Sequence, residues 1–453
     1  EKYIARKLCK LSLNQFNEKF NFLDNLNLYQ RIHNIQLNGE QTDAVLASLN
    51  KGVSIITGGP GTGKTTIVRC ILEMFKQLNN KVLLCAPTGR ASKRLAETSG
   101  IEAKTIHRAL EMNPTEGEGF FHRNENNPLD ADIVIIDEVS MVDVTLLYHL
   151  AKALKSTARL ILVGDKDQLP SVGAGNVLRD LIESKKIHTT QLVNIYRQGN
   201  DSLIITNAHL INSGKMPVID NTSRDFFYEN GNDLAKNSET IVDLVTTRLP
   251  NYFGYKPEKI QVLAPMKAGP CGIDNLNKRL QMTINPYYQG VELSTDFTKF
   301  HVNDKVMQIQ NNYEMEFVKY ESNGTTQTGT GVFNGDIGYI SRIDPDTHEV
   351  IIRFDDGKIC RYAQTDLYQI TLAYAITIHK SQGSEFDCVV IPLVPGAPII
   401  ITRNLLYTAI TRAKKTVVLV GSKQILARMI HNNYTAKRFT LLKDFIIEEF
   451  KDM

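Results

Sequence analysis

Short apolar runs recur along the chain at 53–57, 81–86, 133–136, 160–163, 261–264, 388–391 and 416–420. Helix-length segments separate most of them. Runs this short, bounded by turn signals, read as strands buried on both faces. Strands that alternate with helices predict parallel sheets. The runs fall into two groups, 53–163 and 261–420, which predicts two α/β lobes. Between about 290 and 366 the texture changes to short strand candidates at 302–310, 338–343, 349–354 and 358–362. Asn323-Gly324, Asn334-Gly335 and Asp356-Gly357 separate them, and such dipeptides favour tight turns. A small all-β module inserted in the second lobe is expected. The segment 113–132 carries Gly117, Gly119 and Pro128 around Phe120-Phe121 and predicts a hairpin projecting from the first lobe.

These textures predict four parts. Residues 1–35 read as an N-terminal helical remnant, and 36–190 as the first lobe, with its hairpin at about 112–131. Residues 191–289 and 366–453 read as the second lobe, and 290–365 as the inserted module. No repeat array and no heptad pattern is visible.

Composition narrows the class. At 453 residues, 42% hydrophobic and 22% charged, the chain is neither disordered nor fibrous. The apolar stretch 389–401 is broken by Pro392, Pro395 and Pro398, well short of the ~20 residues of a membrane span, so no membrane role is expected. The chain opens on Glu1 and reads as a trimmed piece. Its first ten residues carry charges with no apolar run behind them, so no export signal is expected. None of the six cysteines forms a CxxC pair, which suits reduced thiols and a cytoplasmic setting. The net charge of +3 says little, but its distribution says more. Arg403, Arg412, Lys414, Lys415, Lys423, Arg428, Lys437, Arg438 and Lys443 occur with no acidic residue among them. Such a run fits either a phosphate-facing surface or a solvated basic face.

The sharpest signal is Gly58-Gly59-Pro60-Gly61-Thr62-Gly63-Lys64-Thr65. It matches G-x-x-x-x-G-K-[ST], follows a predicted strand and precedes a helical pattern that begins at Thr66. The glycines let backbone N–H groups turn toward phosphate oxygens. Lys64 reaches the β- and γ-phosphates, and the Thr65 hydroxyl suits Mg²⁺. A second element is the apolar strand that ends in Asp137-Glu138. Asp137 is expected to hold Mg²⁺ and Glu138 to polarise the attacking water. Charge at the γ-phosphate calls for further groups. Gln168 in 164–170, Arg197 in Tyr196-Arg197-Gln198 and Arg412 in 408–412 are the candidates.

Taken in order, these segments resemble the motifs of a superfamily 1 helicase, most closely the RecD-like group. Leu37-Asn38-Gly39-Glu40-Gln41 resembles an adenine-reading glutamine motif. Ala86-Pro87-Thr88-Gly89-Arg90-Ala91 and Thr105-Ile106-His107-Arg108 resemble the first strand-contacting motifs. Asp137-Glu138-Val139-Ser140-Met141 has the RecD-like form of the acidic motif. Gly164 through Gln168 to Ser171-Val172-Gly173, Ile376 through Thr377-Ile378-His379-Lys380-Ser381 to Asp387, and Leu406 to Ala413 resemble motifs three, five and six. The match runs from about residue 37 to 420.

The resemblance implies an α/β fold of two RecA-like P-loop lobes, with a β-hairpin insertion in the first and a small β-barrel in the second. It implies ATP bound in the cleft between the lobes, with Gln41, residues 58–66, Tyr196, Gly383 and Glu385 in the nucleotide site. It implies single-stranded DNA across both lobes, gripped by Pro87, Thr88, Arg90, His107, Arg108, Ser171 and Val172. In the second lobe the contacts would come from Pro265, Lys267, Asn275, Thr377, His379, Lys380 and Ser381. Phe120 and Phe121 are read either as a wedge at a single-strand/duplex junction or as packing residues of the hairpin. Movement from 5′ to 3′ with duplex unwinding is expected, as a monomer with DNA-repair or recombination partners. An RNA-directed motor of the same superfamily and an ATP-switched clamp without unwinding are the alternatives. A plain P-loop kinase or GTPase gives no reason for Gln168, Arg197 and Arg412. Of the N-terminal region of longer RecD-like proteins, only a stretch such as 3–13 is visible.

Overall fold

In the computed structural model all residues are described except 15, 17–21, 114–119, 195–201, 287–291, 296–297, 321–323, 435–437 and 452–453. The chain divides into two units: Glu1–Asn200 with Ala436–Met453, and Asp201–Thr435.

The first unit is built on a six-stranded parallel sheet. Its strands are β1 (Val53–Gly58), β2 (Val82–Ala86), β3 (Ala103–Thr105), β4 (Ile133–Ile136), β5 (Arg159–Gly164) and β6 (His188–Leu192). Their order is β3-β2-β4-β5-β1-β6. The apolar runs are continuous because both faces are covered. Strand periodicity sends Val53, Ile55, Val134, Ile136, Leu160 and Leu162 into one core. Ile56, Ile133, Ile135, Ile161 and Val163 enter another on the opposite face. Helices Gly39–Asn50 and Lys64–Gln77 cover the second core.

The first core corrects two expected boundaries. Helix Lys2–Ser12 is not a separate remnant: Ile4, Leu8 and Leu11 are fully buried in this core. The C-terminal helix Leu442–Glu449, expected in the second lobe, buries Leu442 and Ile446 there too. Its apolar positions predict a buried face but do not say which sheet it covers. Of the projecting hairpin, an antiparallel bridge between Met112 and Phe121 is seen. Residues 114–119 lie outside the described ones.

In the second unit a five-stranded parallel sheet runs in the order β18-β8-β19-β20-β7. Its strands are β7 (Phe226–Asn230), β8 (Ile260–Ala264), β18 (Ala375–Thr377), β19 (Phe386–Leu393) and β20 (Ala413–Gly421). Between β8 and β18 the chain forms a small β9–β10 pair (Leu293–Ser294, Lys299–Phe300) and a seven-stranded antiparallel sheet. That sheet comprises β11 (Lys305–Gln308), β12 (Asn312–Tyr320), β13 (Thr326–Val332), β14 (Ile337–Ile343), β15 (Val350–Phe354), β16 (Lys358–Tyr362) and β17 (Ile370–Leu372). The expected end of the module at 365 is too early, because β17 pairs with β11. The predicted turn at Asp356-Gly357 joins β15 to β16, with Gly357 at φ +86° where a side chain would be strained.

A buried polar cluster seats this module. Asp304, fully buried, accepts from Gln281 Nε2 (2.6 Å), Asn285 Nδ2 (2.7 Å), the His301 N–H (2.7 Å) and Tyr374 OH (3.0 Å). Lys305 Nζ donates to Gln261 Oε1 at 3.0 Å. Among the described residues, no helix is long and apolar enough to cross a membrane.

Candidate nucleotide and strand-binding site

In a parallel sheet all carboxyl ends lie on one edge, where ligands of open α/β sheets collect. Adjacent strands β4, β5 and β1 therefore bring 137–138, 165–168 and 58–65 to the same edge of the first unit.

The loop after β1 turns through Gly61 and Gly63, at φ +75° and +88°. A Cβ on Gly63 would stand 2.6 Å from Gln41 Nε2, and one on Gly58 would stand 2.7 Å from Thr62 Oγ1. Lys64 opens the following helix, and its ammonium donates to the carbonyls of Gly58 (2.6 Å) and Gly59 (2.9 Å). Thr62 Oγ1 also donates to the Gly59 carbonyl at 2.9 Å. A preshaped loop, a lysine folded over it and a helix N-terminus behind it make a phosphate cradle.

Gln41 stands directly behind the phosphate loop. Its Oε1 accepts the Asn38 N–H at 3.1 Å, Asn38 Oδ1 accepts the Gln41 N–H at 2.8 Å, and its Nε2 donates to the Thr62 carbonyl at 3.0 Å. The side chain is buried. Both ends of the amide are engaged, capping a helix and holding the loop from behind.

At the end of β4, Glu138 adopts a left-handed conformation, φ +55°. Burial and the neighbouring Glu138 charge push the Asp137 carboxyl up to about 6. Arg94, on helix Gly89–Ser99, places Nη1 3.6 Å from Glu138 Oε1. Sequence reasoning missed this arginine; its signal was the i+4 spacing from Arg90. Gln168 is buried, and its Nε2 lies 3.3 Å from Asp165 Oδ2. Its Oε1 has no hydrogen-bond partner among the described residues. A buried amide oxygen left open at the mouth of a phosphate cradle suits a ligand or its water. The hard oxygen donors of Thr65 and Asp137 suit Mg²⁺, and burial with the Glu138 charge outweighs Arg94 and Lys64 in holding the Asp137 carboxyl up.

Among the expected strand contacts, Arg108 is exposed and Pro87, Thr88 and Arg90 are half-buried. Thr88 Oγ1 caps its helix by accepting the Ala91 N–H at 3.3 Å. His107 lies 6.1 Å from the Phe121 ring, and burial lowers its pKa, favouring a neutral imidazole. Val172 is 86% exposed. Ser171 is buried and its hydroxyl faces the Gly173 carbonyl at 3.4 Å, so it is not available to a strand. The two phenylalanines part company. Phe121 packs on His149 at 4.5 Å and against the first core, whereas Phe120 is 44% exposed.

In the second unit, Lys267 and His379 are exposed and Lys380 is half-buried. Burial, with the Lys267 charge second, lowers the Lys380 pKa. Ser381 is fully buried and donates to the Ile378 carbonyl at 2.7 Å, which removes it from the strand face. Pro265 is also buried, and the Asn275 amide is turned to the Pro270 carbonyl at 2.6 Å. Thr377 Oγ1 accepts the Lys380 N–H at 3.4 Å. Gly383 takes φ +71°, and Glu385 lies 4.0 Å from Lys414. Arg412 is buried, donating to the Ser384 carbonyl at 3.2 Å, and its Nε has no partner among the described residues. Tyr196 and Arg197 lie outside the described residues.

Comparison with known proteins places this geometry. The RecBCD enzyme subunit RecD of Mycolicibacterium smegmatis is 30% identical over 420 residues, covering 85% of this chain and 71% of that protein. The chain belongs to the RecD-like helicase family. The ATP-dependent RecD2 DNA helicase of Deinococcus radiodurans is 34% identical over 386 residues. That match covers 85% of this chain but only 49% of the relative, so the chain spans about half of its length. Three family models match along the RecD-like chain. An AAA domain covers residues 41–174, an ATP-dependent RecD-like DNA helicase SH3 domain covers 276–354, and a UvrD-like helicase C-terminal domain covers 372–420. The first spans five of the six strands of the phosphate-loop sheet, and the second overlaps the antiparallel module. Solved Pif1 helicases from Candida albicans (20% identical, TM-score 0.51, 92% of this chain and 99% of that one) and from Bacteroides (17%, TM-score 0.52, 92% and 98%) share the fold.

Proposed function

We propose that this chain is an ATP-driven DNA motor that moves 5′ to 3′ along single-stranded DNA and separates duplex strands. The observation that carries the reading is one sheet edge. It presents a preformed phosphate loop, an Asp-Glu pair and a buried glutamine with an open oxygen, in a chain of the RecD-like family.

Lys64 leaves the Gly58 and Gly59 carbonyls to meet the β- and γ-phosphates. Glu138 orients the attacking water, and Arg94, 3.6 Å away, fixes where that carboxylate stands. Gln168 senses the γ-phosphate through its open Oε1. Arg197 and Arg412 supply positive charge as it develops on the transferring group. Thr65 and Asp137 are the residues that would hold Mg²⁺, which supplies charge neutralisation between the phosphates. Gly383 and Glu385 relay the nucleotide state to the loop that carries His379 and Lys380.

Strand grip is assigned to Arg90, Arg108 and Val172 in the first unit and to Lys267, His379 and Lys380 in the second. Backbone contacts dominate translocation, because a motor cannot depend on sequence. The antiparallel sheet of the second unit is read as a small SH3-like barrel, and Phe120 as the exposed ring at the junction. Single-strand/duplex junctions are the substrate, repair or recombination proteins the expected partners, and the monomer the working form.

Strand displacement with ATP and Mg²⁺, comparing duplexes with 5′ or 3′ single-stranded tails, tests the reading, with Lys64→Ala as control. Unwinding from the 5′ tail alone, lost in the control, is expected. Opening only from the 3′ tail would overturn the direction. Strand-stimulated hydrolysis with neither duplex opened would favour a clamp.

A further inference from the structure

The loop 171–175, Ser-Val-Gly-Ala-Gly, follows the strand-end segment that carries Gln168. It has little side-chain mass of its own to hold a shape. One side leans on the start of helix Val144–Ala153: the Val144 N–H donates to the Ala174 carbonyl at 3.0 Å. A Cβ on Gly173 would meet Asp143 Oδ2 at 2.1 Å, and one on Gly175 would meet Val144 Cγ2 at 2.2 Å. With Gly175 at φ +81°, the carbonyls of this turn converge instead of alternating outward.

A single guanidinium fills that convergence. Arg438 Nη1 donates to the Gly173 carbonyl at 2.7 Å and the Gly175 carbonyl at 2.6 Å. It also lies 3.3 Å from Ser171 Oγ, and Nη2 donates to the Ser171 carbonyl at 2.5 Å. Arg438 lies more than 260 residues away in sequence but belongs to the same unit. Helix Leu442–Glu449, which follows it, is fixed in the core of that unit by Leu442 and Ile446. The contacts pull Ser171 inward and leave Val172, between the clamped carbonyls, 86% exposed.

We propose that Arg438 is a positioning residue, which clamps loop 171–175 in the conformation that presents Val172 to the nucleic-acid strand. The inference rests on the reading of this loop as a strand contact. Charge-assisted bonds from a planar fork to several carbonyls have no equivalent in a lysine, whose ammonium is one point donor on a flexible stem. The carbonyls need a fork, not merely a charge.

The test measures the single-strand concentration that half-saturates ATP hydrolysis for this chain, for Arg438→Gln, for Arg438→Lys and for Val172→Asp. A poly-dT oligonucleotide is the probe, and thermal midpoints are read in parallel. Both Arg438 variants are expected to raise the half-saturating concentration by about tenfold, with the KM for ATP held within about twofold. A lysine variant indistinguishable from the parent would overturn the clamp, because charge alone would then suffice. Arg438→Gln with parental strand dependence and melting would overturn it too. If Val172→Asp shifts strand dependence while both Arg438 variants do not, the loop is a strand contact and the clamp is wrong. If the unmodified chain hydrolyses ATP with no response to the oligonucleotide, the strand reading itself fails.

Discussion

Asp137 Oδ1 accepts the backbone N–H of Glu138 at 2.9 Å. The bond fixes the turn at the end of β4, where Glu138 is left-handed and paired with Arg94. Burial and the Glu138 charge raise the Asp137 carboxyl from 3.8 to about 6. A carboxyl raised by folding favours the fold in its neutral form. That contribution is full below about 3.8 and is lost as pH rises through about 6. Metal-free Asp137→Asn is therefore expected to be more stable than the parent at pH 8 by on the order of 1 kcal/mol. Part of the Asp137 surface stays open to solvent, which keeps the effect small. The advantage shrinks as pH falls from 7 toward 4. Melting curves across that range check it, and an asparagine variant less stable than the parent at pH 8 would refute it. The same variant is expected to lose ATP hydrolysis.

Gln41 supplies a second test, because its amide braces the phosphate loop. Gln41→Ala keeps the Asn38 cap but removes the reciprocal bond from the Asn38 N–H and the bond to the Thr62 carbonyl. A loss of about 1–2 kcal/mol of stability is expected. Affinity for ADP and GDP should fall by the same factor. Titration with the two nucleotides decides the matter: a selective loss for ADP would mean that Gln41 reads the base as well.

How much could be read beforehand follows from where each partner lies. The phosphate loop was legible because all its parts fall within eight consecutive residues and the glycines have no other use. The two lobes were legible because strands buried on both faces leave continuous apolar runs, such as 133–136 and 160–163. The bracing of the loop by Gln41 was not legible because its partner, the Thr62 carbonyl, is a backbone atom that carries no sequence signal. Ser171 and Ser381 match strand-contacting motifs by type and position. Only the folded turn shows their hydroxyls facing inward to the carbonyls of Gly173 and Ile378. Arg438 was counted merely as one charge in a basic run. Its carbonyl partners are brought to it only when helix Leu442–Glu449 packs into the core of the first unit.

The joint of the antiparallel module carries a prediction about stability. Asp304→Ala would remove the buried acceptor of the His301 N–H and the Tyr374 hydroxyl, and leave the amides of Gln281 and Asn285 only the carbonyls of Lys299 and Val302. A loss of about 3–5 kcal/mol is expected. Chemical denaturation of the variant reads it directly. A loss below about 1 kcal/mol would mean that water replaces the carboxylate and that the cluster does not seat the module.

The last prediction separates Phe120 from Phe121. Phe121 lies against His149 and the first core, so Phe121→Ala opens a gap that the neighbouring rings fill only in part. It should cost about 1–3 kcal/mol and lower the thermal midpoint. Phe120 is exposed, and its ring meets the edge of the His122 ring at 5.3 Å. Phe120→Ala should therefore shift the midpoint little, within about 0.5 kcal/mol. If its ring stands at the junction, single-strand-stimulated hydrolysis should stay near the parental rate while duplex opening slows several-fold. The two assays must be run on one preparation, because only their ratio isolates strand separation from translocation. Equal loss in both assays would mean that Phe120 supports the motor as a whole. Unchanged duplex opening would remove the ring from the junction and leave strand separation to another part of the first unit.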